Sequence, residues 1–142
     1  MSVNVLYRTT ARASGGRDGH AETLDGQFKV DLGTPKELGG NGQGNNPEQL
    51  FAAGYSACFL GAMKFAASQD KTITLPDETH VTATVGIGAR TDGGFGITVD
   101  LEVSLPGMDR SVAEELVKKT EHICPYAHAT KGNIATTIKI EN

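Results

Sequence analysis

The chain has 142 residues, 13 Lys and Arg against 17 Asp and Glu, a net charge of −4 and two cysteines. That length suits one domain with a real core, and the expectation is a single domain over residues 1–142. The charge balance leaves no basic footprint for nucleic acid. No apolar run is read as reaching the ~20 residues a membrane crossing needs, and "MSVNVLYRTTARAS" lacks the apolar core of a leader. No membrane partner and a cytoplasmic location are expected, and thiols there are kept reduced, which argues against a structural disulfide.

In chain order, residues 3–13 read as a strand and "SGGRDGHA" as a glycine-punctuated turn. "AETL" and "QFKVDL" flank Asp25-Gly26, a dipeptide that favours a tight hairpin with positive φ at both central residues. Residues 33–46 form a long glycine-rich loop, a kind more often functional than idle. It lacks the Gly-Lys-Ser/Thr ending of a phosphate-binding loop and reads as a lid or substrate wall.

The helix that follows is strongly marked. Asn46 suits the N-cap, Pro47 the first helical position, and Gln49 the capping-box partner. Residues 50–67 are apolar nearly all round, so the helix should be wrapped by other elements. Gly54 and Gly61 cost helix stability, which predicts close packing against another backbone.

Val81 to Ala89 and Phe95 to Leu105 alternate with period two around a "TDGG" turn. Residues 111–122 form an amphipathic helix with Val112, Leu116 and Ile123 facing inward, stopped at Cys124-Pro125. "NIATTIKIE" closes the chain as a strand. The class is therefore α+β: antiparallel strands around a buried central helix, in the order βββ-α-ββ-α-β. Six strands from one small chain cannot easily cover that helix, which predicts an intertwined homodimer.

Cys58, inside "YSACFLGAMKF", reads either as a small core residue or as a thiol kept from water on purpose. A reactive thiol in an apolar helix needs a cation to favour its ionised form, and its own helix supplies none close behind it. Arg17, in "GGRDG", is the candidate, carried inward by flexible glycines. Glu48 could fix its guanidinium by a planar two-point contact. Glu48 and Cys58 stand ten residues apart, about 15 Å of helical rise. One arginine serving both therefore requires a helix broken near Gly54 or a site shared between two chains, and the second agrees with the dimer.

Cys124, in "HICPYAHATKGN", sits at a helix end and the start of a turn, expected to be mobile. His122, Cys124 and His128 do not match paired zinc ligands, so no metal or other cofactor is expected. A Cys–His hydrolase with His20, His80, His122 or His128 as base is the remaining enzyme alternative.

"NPEQLFAAGYSACF", "GGRDG" and "CPYAHATKGN" together closely resemble the organic hydroperoxide resistance (Ohr) proteins within the Ohr/OsmC group. The likeness covers essentially the whole chain, with Lys131 where many relatives carry arginine. It implies a thiol peroxidase that reduces alkyl and fatty-acid hydroperoxides, with Cys58 peroxidatic, Cys124 resolving, and Arg17 with Glu48 activating. It also implies homodimers with interfacial sites, re-reduced by dihydrolipoyl groups of lipoylated proteins. Phe51, Tyr55 and Phe59 are expected to line an apolar channel for substrate. The alternative is a non-catalytic thiol redox sensor or binding protein.

Overall fold

The computed structural model describes residues 2–142. They form two compact units, one ending at Leu50 and one spanning Phe51–Asn142. The first unit carries a three-stranded antiparallel sheet, β1 (Ala11–Ser14), β2 (His20–Thr23) and β3 (Lys29–Asp31), in the order β1-β2-β3. The second carries β4 (His80–Ala89), β5 (Phe95–Ser104) and β6 (Thr136–Glu141), in the order β4-β5-β6. Helix α1 (Pro47–Ser68) begins in the first unit and continues through the second, which adds α2 (Arg110–Ile123) and α3 (Pro125–Thr130).

The expected strand over 3–13 is corrected. Only Ala11–Ser14 is paired as a strand; Thr10 O accepts one further bond from Leu24 N–H, and residues 3–9 join no strand among the described residues. Their apolar side chains stand open, Leu6 at 92% and Tyr7 at 78% exposure. The Asp25-Gly26 turn also differs, since only Gly26 takes positive φ, at 74°. The loop is four residues long: Thr23 N–H donates to Phe28 O and Gly26 N–H to Thr23 O, both at 2.9 Å. Asp25 accepts from Thr23 Oγ1 and Gln27 N–H, an Asx turn in which a negative φ serves.

Helix α1 opens as its sequence predicts. Gln49 N–H donates to Asn46 Oδ1 at 2.9 Å, and Asn46 N–H donates to Gln49 Oε1 at 3.0 Å. Each side chain thus satisfies a backbone donor that the helix start leaves orphaned. The helix runs unbroken through Gly54. At 22 residues it is long and apolar enough, by length and composition, to cross a membrane, which corrects the reading of its run as too short. One face, including Tyr55, Phe59 and Met63, is instead packed into the protein core.

The core of the second unit joins that face to Val99, Leu101 and Val103 of β5 and to Leu116 of α2. The register sets Val81, Ala83 and Val85 opposite Val103, Leu101 and Val99, so the period-two residues share one face. β6 pairs with β5 in parallel, Leu101 beside Ile138 and Val103 beside Ile140, which corrects the expectation of antiparallel pairing throughout. The helical crossover through α2 and α3 returns the chain in the same direction. On α2 the inward residues are Ala113, Leu116, Val117 and Thr120, whereas Val112 and Ile123 are partly exposed. Asp109 caps the helix from outside the expected range, accepting from Ser111 and Val112 N–H. That sets the start at Arg110.

Candidate active site

In the first unit, the "GGRDG" turn needs its glycines. Gly15 and Gly16 take φ of 73° and 63°, and a Cβ on Gly19 would stand 1.8 Å from the Ser14 carbonyl oxygen. This tight corner presents Arg17 to Glu48, as the sequence suggested. Arg17 Nη1 donates to Glu48 Oε2 at 2.8 Å and Nη2 to Oε1 at 2.6 Å. The bidentate pair holds the Glu48 carboxyl below the usual carboxylate range and keeps the guanidinium charged. The Arg17 side chain remains 37% exposed, so solvent screens part of the attraction. Next to it, Asp18 accepts from Thr34 N–H at 2.9 Å, which ties the turn to the glycine loop. His20 bonds instead with Asp31 and Glu22, at 3.1 and 3.4 Å.

The glycine loop is folded on itself. Gly33 N–H donates to Asn45 O at 2.7 Å, and Gly42 N–H to Thr34 O at 3.1 Å. A Cβ on Gly33 would lie 1.4 Å from Gln43 O, so only glycine permits that approach.

In the second unit, Cys58 and Cys124 are free thiols. They are 66 positions apart in sequence, yet their Sγ atoms are 3.7 Å apart, with Cys124 donating to Cys58. Cys124 stands at the end of α2, as expected, but opens α3 rather than a turn, and it is fully buried. Its N–H donates to Thr120 O at the end of α2, and its Sγ accepts from Ala127 N–H at the start of α3. Pro125 therefore ends one helix and opens the next, since a residue at the first helical position needs no N–H. Burial, the largest influence, pushes the Cys124 thiol up, and the Ala127 N–H opposes it.

Of the expected apolar lining, Phe51 is half-buried, while Tyr55 and Phe59 are buried in the core. Tyr126, which the sequence reading missed, joins them. Its ring centroid lies 6.0 Å from Phe51 and 5.7 Å from Tyr55. A Cβ on Gly54 would come within 2.8 Å of Tyr126 Oη, so Gly54 is the notch that admits the ring. Gly61, expected to pack as closely, has nothing within 4 Å of such a Cβ. No group of three or more His, Cys, Asp or Glu among the described residues is arranged to hold a metal ion.

The profile of OsmC-like proteins matches residues 40–139. An organic hydroperoxide resistance protein of Xanthomonas axonopodis pv. citri is 52% identical over 137 residues, covering 96% of this chain and 95% of its own. OhrB of Bacillus subtilis is 38% identical over 136 residues, covering 96% and 98%. The crystal structure of an organic hydroperoxide resistance protein from Legionella pneumophila superposes with a TM-score of 0.92 at 42% identity, covering 98% of this chain and all of that one. The chain belongs to the OsmC/Ohr family. Its α+β architecture, with two sheets and three α-helices, matches the solved Ohr/OsmC structures.

Proposed function

We propose that this protein is a thiol-dependent peroxidase that reduces organic hydroperoxides to alcohols in the cytoplasm. Its similarity to organic hydroperoxide resistance proteins supports a role in organic hydroperoxide detoxification. The observation that carries the mechanism is the 3.7 Å approach of the Cys58 and Cys124 sulfurs. A disulfide closes at ~2.05 Å, so a small swing of one sulfur bridges them without refolding.

Ionised Cys58 attacks the outer peroxide oxygen, the O–O bond breaks, and the alkoxide leaves with a proton as the alcohol. Cys58 becomes a sulfenic acid. Cys124 then attacks that sulfur, water departs, and a disulfide forms before further oxidation can occur. A dihydrolipoyl dithiol, free or on a lipoylated protein, returns both thiols and closes the cycle.

Arg17, held flat by Glu48, supplies the positive charge that favours ionised sulfur and steadies the departing oxygen. In an unbroken α1, Glu48 and Cys58 remain about 15 Å of helical rise apart. A guanidinium bound to Glu48 then serves Cys58 best across a homodimer interface, where Arg17 comes from the partner subunit. Two features support the dimer. Every buried apolar residue of the core lies from Tyr55 onward, while Val3, Leu6, Tyr7, Leu24 and Phe28 stand exposed. The open face of α1 is a stripe of Ala53, Ala57, Gly61 and Phe65, which a second copy would cover. Phe51 forms the apolar wall for substrate, backed by Tyr55 and Phe59, and this favours alkyl over small polar peroxides.

Turnover of cumene hydroperoxide with dihydrolipoamide tests the reading. Wild type should cycle, and Cys58→Ser should consume no peroxide. Consumption by Cys58→Ser at the original rate would contradict the assignment.

A further inference from the structure

Three contacts hold α3 against one face of α1. The Cys124 sulfur meets Cys58, the Tyr126 ring fills the notch at Gly54, and Thr130 Oγ1 lies 3.2 Å from Tyr55 Oη. The last pair is buried, at 6% and 1% exposure. Thr130 Oγ1 also lies 3.0 Å from Tyr126 O and 3.2 Å from Ala127 O. A hydroxyl has one proton to give, so Thr130 donates to these backbone carbonyls and accepts from the Tyr55 phenol. Every polar atom of the group is then satisfied, as a buried network requires. Tyr55 is three residues before Cys58, and Thr130 is six residues after Cys124. The bond therefore joins α1, which carries Cys58, to the helix that Cys124 caps.

From this geometry we infer that Tyr55 and Thr130 form a latch that positions Cys124 for the disulfide-forming half-reaction. The inference rests on the peroxidase reading above. In that step the Cys124 sulfur attacks the Cys58 sulfenic acid, an S–S bond forms, and the S–OH bond breaks. The hydroxyl leaves as water with the thiol proton, and no further oxidant or reductant enters. The latch touches neither peroxide nor sulfur. Thr130 is a positioning residue: it keeps α3 seated while the Cys124 side chain alone closes the gap. Without it, α3 loosens and Cys124 samples more positions, so the sulfenic acid waits longer and meets a second peroxide more often.

Thr130→Val removes the hydroxyl and keeps the shape. After rapid mixing with one equivalent of cumene hydroperoxide, sulfenic acid is trapped with dimedone and disulfide is counted by mass. Thr130→Val should form sulfenic acid at the wild-type rate but close the disulfide roughly fivefold to tenfold more slowly, the loss of one buried hydrogen bond. Under excess peroxide, sulfinic Cys58 should rise relative to disulfide, and Thr130→Ser should return the ratio to the wild-type value. A purely structural role would lower thermal stability and leave that ratio unmoved. Tyr55→Phe deletes the other half of the bond; combined with Thr130→Val, it should slow closure no further than the slower single variant. It also provides the reading if Thr130→Val does not fold. Wild-type closure in Thr130→Val, or additive slowing in the double variant, would overturn the latch and leave the peroxidase intact. Absence of both sulfenic acid and disulfide in wild type would instead overturn the peroxidase reading, and the latch with it.

Discussion

Glu48 receives both terminal nitrogens of Arg17, at 2.8 and 2.6 Å, across 31 positions of sequence. A lysine could not reproduce this planar fork, because its ammonium offers a single point of charge. Because Arg17 holds the Glu48 carboxyl below its ordinary range, the stabilisation is present above the unfolded glutamate value. It is lost as pH falls through the depressed native value. Glu48→Gln should therefore cost about 0.5–1 kcal/mol near pH 7, and the difference should be smaller at about pH 3, below the ordinary glutamate value. Urea unfolding at the two pH values measures it, and a gap unchanged at low pH would remove the ion pair as its source.

Arg17→Ala should slow oxidation of Cys58 by roughly a hundredfold or more, the loss seen when one donor to a developing oxyanion is removed. Single-turnover kinetics with an alkyl hydroperoxide reads this directly. An unchanged rate would place the activating charge elsewhere.

The buried Cys124 thiol is pushed up, chiefly by burial. A raised native value stabilises the fold below the unfolded cysteine value, and that stability disappears as pH rises through the native one. Wild type should lose stability relative to Cys124→Ala above about pH 9. A flat difference across that range would show that burial does not oppose ionisation there.

Gly54→Ala places a methyl 2.8 Å from Tyr126 Oη and 3.3 Å from two ring atoms. With the ring set against Phe51 and Tyr55, the strain should cost about 1–3 kcal/mol despite alanine's better helix propensity. Calorimetry should show a lower Tm, and a stabilised variant would contradict the packing described.

Much of this was legible because it is local. The Asn46 cap, the Gln49 return bond and the alternation through β5 each depend on neighbours a few residues away. So does the Arg17–Glu48 pair in part: the glycine corner marks Arg17, and the first helical turn marks Glu48. What sequence did not disclose depends on remote geometry. The parallel seating of β6 is decided by a helical crossover, and residues 3–9 have strand-like side chains without a strand to join among the described residues. Helix α3 is six residues long, too short for a periodic signal, and with it went Tyr126 and Thr130. Gly54 was the available sign, a costly residue explained only by the ring that fills its place.

Catalysis as proposed turns on two sulfurs that begin reduced and 3.7 Å apart. Intact mass after one equivalent of an organic hydroperoxide tests it most directly. Loss of two hydrogens, with Cys58 and Cys124 joined in one cross-linked peptide, is the predicted result. An unchanged mass, or oxygen retained on Cys58 with Cys124 still free, would contradict it.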